Sequence, residues 1–195
     1  MEWLKRFVGL KSSETRRTSV RQVTVNNPLV VSSPRIGFFN LLGPAAQSIV
    51  EEDKRAFQPL FSSLDESSTA PPVCDVLMMY ARIESDGRVC GSAEGLRDII
   101  RRCGACIVVV ASENEAEAYI SAGKTTGYGQ ANLVMTLKRK GTTFTAFFAK
   151  LFDKMRRGVT MPVAWVQLAP QTPGARHNDC PESIFAAEIS HIVFK

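Results

Sequence analysis

Two apolar runs constrain this chain most. Cys74-Asp75-Val76-Leu77-Met78-Met79-Tyr80-Ala81 and Cys106-Ile107-Val108-Val109-Val110-Ala111 are apolar at nearly every position instead of every second one. A strand with one wet face alternates between apolar and polar side chains. A strand without alternation is covered on both faces, the condition found inside a mostly parallel sheet with helices on either side. The turn signal Ser85-Asp86-Gly87 closes the first run, and Gly104 stands just ahead of the second.

The rest of the chain supplies strands and helices in alternation. Residues 19–31 read as extended, broken by Asn26-Asn27-Pro28, and residues 35–42 as a strand that stops at Gly43-Pro44. The apolar spacing of Ile49, Phe57, Leu60 and Phe61 predicts a helix over 45–64, followed by a loop over 65–72. Ser92 is placed to cap a helix that runs through Leu96, Ile99 and Ile100 to Arg102 and ends near Gly104. Residues 113–121 read as a short acidic helix, 123–129 as a glycine-rich loop and 132–137 as a strand. A helix over 142–157 carries Phe144, Phe147, Phe148, Leu151, Phe152 and Met155 on one side and ends at Gly158. Residues 163–168 are expected to form a strand, with a helix as the alternative, and a final strand is expected over 184–194 after a Pro-rich loop. This order predicts an α/β fold, a three-layer sandwich with a mostly parallel sheet. The expected organisation is a basic arm over 1–22, an extended linker or edge strand over 23–34, and a single α/β domain over 35–195. A chain of 195 residues buries a full core without metal or disulfide staples.

Charge separates the arm from the body. The net charge is +5, but Lys5, Arg6, Lys11, Arg16, Arg17 and Arg21 stand against only Glu2 and Glu14 in the first 22 residues. The body is therefore near neutral, so charge alone does not indicate a body-wide nucleic-acid face. Within the arm, Trp3, Leu4, Phe7, Val8 and Leu10 share one face of a short helix. Such a segment is expected to dock on its own domain or fray as a tail, or, through its basic residues, to contact an anionic membrane or nucleic acid. No apolar run approaches the roughly 20 residues of a membrane-spanning helix. The first ten residues do not read as a secretory signal. Five cysteines, an odd number, fit a reducing, cytoplasmic location.

Candidate site residues follow from topology, since ligands of parallel α/β sheets bind beyond the carboxyl ends of the strands. For the run ending at Ala81, that edge holds Arg82, Glu84, Ser85 and Asp86; for the run ending at Ala111, it holds Ser112, Glu113, Asn114 and Glu115, with Glu117 beyond. A site is expected between the two clusters, with Arg82 and Lys124 as candidate ligand-binding cations. Ala118 to Thr125 loosely fits a phosphate loop, but such a loop follows a strand directly and opens a helix. Here a helix-like segment precedes it and a strand follows, so it reads as a surface loop. Cys103-Gly104-Ala105-Cys106 lacks the second pair a zinc site requires and reads as core packing. Neither a metal nor a cofactor is implied.

The element order resembles the caspase-like fold, in particular its CHAT branch, as well as flavodoxin-like alternation. In the caspase-like family one strand ends in a His-Gly turn, and the next ends in an Ala-Cys step that presents the nucleophile. Asp75 to Ala81, followed by residues 82–87, resembles the first of these; Ile107-Val108-Val109-Val110-Ala111-Ser112 resembles the second. Residues 144–158 resemble the family's aromatic helix and its closing glycine. No histidine stands in 82–87 and no cysteine in 111–115, while cysteine proteolysis needs a thiolate beside a base. The resemblance therefore implies a catalytically dead member that acts by binding a protein partner. The same two strands also resemble the first and fourth strands of a TIR domain, some of which cleave NAD with a glutamate just after the latter. That alternative implies a nucleotide-acting hydrolase using strand-end carboxylates, with Glu117 the nearest match. It ranks second, because TIR domains place more strand and helix between those segments than 82–105 supplies.

Overall fold

The structure, a computed structural model, describes residues 28–118, 131–169, 180–189 and 191–195. Six strands form the main sheet: β2 (Arg35–Asn40), β3 (Ser63–Ser67), β4 (Val76–Tyr80), β5 (Ile107–Val110), β6 (Asn132–Lys138) and β7 (Glu182–Ala186). Their spatial order is β3-β2-β4-β5-β6-β7. All neighbours pair in parallel except β6 and β7, which are antiparallel. Two further strands, β1 (Leu29–Val31) and β8 (Ile192–Phe194), pair with each other in parallel as a separate ribbon. This is the expected α/β sandwich with a mostly parallel sheet.

Both faces of the sheet are covered. Alternate residues of the central strands, Val76, Met78 and Tyr80 of β4 with Ile107 and Val109 of β5, pack in one core with α1 (Gln47–Phe57), α3 (Thr142–Arg156) and α4 (Met161–Leu168). Leu77 and Met79 with Val108 and Val110 pack on the other side against α2 (Leu96–Cys103). The non-alternating runs are thus explained: each strand presents apolar side chains to two cores.

Local chemistry sets the element ends. In α2, Leu96, Ile99, Ile100 and Cys103 are buried at i, i+3, i+4 and i+7, while Arg97, Asp98, Arg101 and Arg102 face outward. Gly104 ends it at φ +67°, its N–H donating to the Ile100 carbonyl at 3.2 Å; a side chain would be strained in that left-handed conformation. The start differs from expectation. Gly95, not Ser92, is the N-cap, and Ser92 Oγ instead accepts the Glu94 N–H at 3.0 Å.

Four more expectations are corrected. The helix predicted over 45–64 is a 3-10 turn (Gly43–Ala46), α1, and a second 3-10 turn (Gln58–Leu60) that contains Pro59, a residue unable to continue an α-helix. The loop expected over 65–72 begins instead with β3, whose sequence Ser-Leu-Asp-Glu-Ser has no apolar alternation because it is a largely exposed edge strand. Residues 161–168 form a helix, not a strand. Pro162 sits in its first turn, where it is tolerated, and Met161, Ala164, Trp165 and Leu168 face the core at helical spacing. The single strand expected over 184–194 is two strands in different sheets. Between them Asn132 clamps the backbone of Ile189, accepting its N–H at 2.7 Å and donating to its carbonyl at 3.0 Å. Of the acidic helix expected over 113–121, residues 116–118 begin a helical turn. The glycine-rich loop with Lys124, and the arm over 1–22, lie outside the described residues.

Aromatic rings bind the layers of the first core together. Phe152 of α3 meets Phe57 edge-on at 5.5 Å, Phe61 at 5.2 Å and Phe194 at 6.2 Å between centroids. It thereby joins α1, the turn after it and β8, and it is fully buried. Phe152→Ala is expected to lower unfolding free energy by about 3–5 kcal/mol, measured by denaturant titration; a loss below about 1 kcal/mol would contradict this role.

Candidate functional site

The strand order reverses between β2 and β4: the chain leaves β2 for β3 on one side and returns to β4 on the other. In open α/β sheets, the carboxyl side of that reversal is where a crevice forms. A cavity of about 450 Å³ lies there. Leu42, Ala46, Ile49, Tyr80, Ala81 and Ala111 give it an apolar floor, and Glu52, Arg82, Ser112, Glu113, Arg139 and Gly141 line the remainder.

The chain reversals around the cavity are held by side chains that replace the lost ladder. Asn40, at the end of β2, accepts the Leu42 N–H at 3.1 Å and donates to the Gly43 carbonyl at 3.1 Å, turning the backbone into α1. After β5, Ser112 Oγ accepts the Ala81 N–H at 3.0 Å and donates to the Ala81 carbonyl. Asn114 accepts the Ile83 N–H at 2.7 Å and also donates to the Ala81 carbonyl, at 3.1 Å. The ends of β4 and β5 are therefore stitched by side chains from 112–114 onto backbone at 81–83.

Beneath the floor lies a buried polar network. Asp53 of α1 is fully buried and Arg139, just after β6, is 7% exposed. Arg139 Nη2 lies 2.7 and 2.8 Å from the two Asp53 carboxylate oxygens, and its Nη1 donates to the Ala111 carbonyl at 3.2 Å. The Tyr80 hydroxyl donates to Asp53 Oδ2 at 2.5 Å and the Thr145 hydroxyl to Oδ1 at 2.6 Å. Phe144 lies under the guanidinium, 4.0 Å from its ring centroid. Burial raises the Tyr80 phenol well above its ordinary pKa, and the neighbouring Asp53 charge and its hydrogen bond raise it further.

The sequence-predicted residues fall into three groups. Arg82, Ser112 and Glu113 line the cavity, and Glu113 also accepts the Arg139 N–H at 2.7 Å. Glu84 and Asp86 stand apart from the lining, in the turn after β4, where both pair with Arg88, at 3.2 and 2.7 Å. The Arg88 backbone N–H, and then its side chain, hold the Asp86 carboxyl below its usual range. Glu115 and Glu117 are exposed on the segment after β5 and do not line the cavity. The four carboxylates Glu84, Asp86, Glu113 and Glu115 therefore do not converge.

Sequence reasoning missed Glu52, Asp53, Tyr80, Arg139 and Thr145. One signal was present: Val50, Asp53 and Phe57 share the buried face of α1, and an acid within an apolar stripe requires a buried partner. Among the described residues, no group of three or more His, Cys, Asp or Glu could hold a metal ion, and no helix is long and apolar enough to cross a membrane. The five cysteines are unbridged. The chain matches no family model, and no curated protein matches it in sequence.

Two outcomes test the network. Asp53→Leu leaves Arg139 buried without its counter-charge and is expected to cost about 3–5 kcal/mol of stability; in a double-mutant cycle with Arg139→Met, the double variant Asp53→Leu/Arg139→Met is expected to recover much of that loss. The folded state also holds the Tyr80 proton more tightly than the unfolded chain, in which a tyrosine titrates near pH 10. Its stabilising contribution is thus complete below about pH 10 and lost as pH rises beyond it. Tyr80→Phe is expected to flatten the fall of stability above pH 10, measured by denaturant titrations across pH 8–11.5.

Proposed function

We propose that this chain is a non-catalytic α/β module of caspase-like architecture that acts in the cytoplasm by binding a protein partner. The observation that carries this reading is the state of Ser112. It stands after Ala111 where the resemblance expects a nucleophile, yet its hydroxyl is held on both sides by the Ala81 backbone. Among the described residues, no histidine or cysteine lines the cavity to supply a base or a thiolate. A serine so placed is a structural staple, since nucleophilic catalysis needs the hydroxyl free and a base within hydrogen-bond reach.

Adjacency of β4 and β5, in register from Val76–Ile107 to Met79–Val110, agrees with the two strands that carry the caspase-like resemblance. An apolar floor that includes the exposed Leu42 and is flanked by Arg82 suits a protein ligand anchored by an apolar side chain. The nucleotide-hydrolase alternative needs converging strand-end carboxylates, whereas Glu113 alone of these lines the cavity, Glu84 and Asp86 pair with Arg88, and Glu115 and Glu117 are exposed away from it.

Incubation with fluorogenic peptides and with NAD is expected to show no turnover above a protein-free control. Ser112→Ala is expected to lower stability by about 1–2 kcal/mol by leaving the Ala81 N–H without its acceptor, while Asn114 still donates to the Ala81 carbonyl. Turnover present in the parent and abolished in Ser112→Ala would overturn the reading. A protein partner retained from the source cells by the parent should be lost with Arg82→Glu; equal retention would remove the cavity from the interface.

A further inference from the structure

We infer that the cavity at the carboxyl edge of the sheet is the docking site for the chain's own N-terminal segment, with Trp3 and Phe7 as apolar anchors and Lys5 and Arg6 facing Glu52 and Glu113. The inference rests on the cavity and the sequence, and stands whether or not a protein partner also uses this site. Its first support is charge. Glu52 and Glu113 line the cavity, and neither makes an ion pair among the described residues. Arg139 is neutralised by Asp53, which leaves Arg82 as the opposing cation and the lining net negative. An apolar floor with an acidic rim selects an apolar group that carries a cation beside it.

The chain itself supplies that chemistry. Trp3-Leu4-Lys5-Arg6-Phe7-Val8 sets large apolar side chains next to two cations, in the 22-residue stretch that carries most of the protein's net positive charge. Reach is sufficient. The six residues of β2 cover about 20 Å between the start of the main sheet and the cavity, whereas residues 11–27 span up to about 55–60 Å when extended. Tethering also raises the local concentration of the segment into the millimolar range, so weak contacts suffice to fill the site.

The test uses the full chain. Amide spectra of the parent and of Trp3→Ala/Phe7→Ala are compared; unchanged core resonances report that the fold is intact. Shift changes are expected at Ala46, Ile49, Arg82 and Ser112, together with those of residues near 3–8, and they should be independent of protein concentration over a tenfold range. Lys5→Glu/Arg6→Glu is expected to reproduce the cavity shifts, and Glu52→Lys/Glu113→Lys to move the Trp3 indole N–H resonance to its position in an isolated peptide of residues 1–12. Changes confined to residues 1–27 would overturn the inference. So would cavity shifts that vanish on dilution, which would place the segment on a second copy. Movement of the Trp3 resonance only on adding phosphatidylserine-containing vesicles would assign the segment to a membrane surface instead.

Discussion

The ion pair between Asp53 and Arg139 is the interaction on which this architecture turns. It joins two positions 86 residues apart in sequence, one on the helix after the first main-sheet strand and one just beyond the fifth. Arg139 then reaches the end of β5 through the Ala111 carbonyl, and Asp53 takes the hydroxyls of Tyr80 from β4 and Thr145 from α3. A bare charge at either position would be costly to bury. With the partners present, the carboxylate and guanidinium are met by hydrogen bonds from four different elements. Apolar packing holds the layers together over most of their area, but it is non-directional; this network is what fixes the carboxyl ends of β4, β5 and β6 relative to α1 and α3. The cavity floor is made of the residues directly above it.

That rigidity bears on function. A cleft at the reversal of strand order is a generic consequence of the topology, so its presence alone says nothing of chemistry. What distinguishes this one is how the polar groups around it are occupied. Arg139 is satisfied from below, Ser112 and Asn114 are committed to the backbone of 81–83, and Asn40 to the turn that follows it. The groups left to meet a ligand are the flexible, charged ones at the rim: Glu52, Arg82 and the second oxygen of Glu113. Charged rims around apolar floors steer and orient partners; they do not by themselves supply a nucleophile or a proton relay.

The sequence was most legible where a pattern has a single physical cause. Non-alternating runs at Val76–Tyr80 and Ile107–Val110 and the apolar stripes of α2 and α3 translate directly into elements, because burial on two faces or on one helical stripe leaves few alternatives. It was least legible where apolar content misleads. Val163 and Val166 made residues 163–168 look like a strand, yet both are exposed, 50% and 59%, and the core-facing positions are the ones at helical spacing. β3 had little signal because it is a largely exposed edge strand with a single apolar residue, Leu64, packed on the core. For the site, the edge of the sheet and three of its residues, Arg82, Ser112 and Glu113, followed from topology. The ion pair beneath did not, because pairing two charges 86 positions apart is a tertiary fact, although Asp53 on an apolar helix face announced that a partner had to exist.

The amino edge of the sheet shows why chemistry concentrates at the other end. There the backbone is packed against side chains with no room to spare: a Cβ on Gly37 would stand 2.6 Å from Pro72 Cγ and 2.8 Å from Cys74 Sγ. Cys74 and Cys103 are buried side by side, with the Cys74 thiol as the donor of the pair. That contact, and then burial, raises the Cys74 thiol far above its usual value, and burial pushes Cys106 up to about 12. Cys103 is lowered by the hydrogen bond from Cys74 but is sealed from solvent. Three thiols at this edge therefore serve as small apolar fillers, as expected of buried neutral cysteines. Among the described residues, the amino edge is closed by packing and helices cover both faces of the central strands, whereas the carboxyl edge holds a cleft that a side chain from elsewhere can enter, and the buried ion pair keeps that entrance in shape.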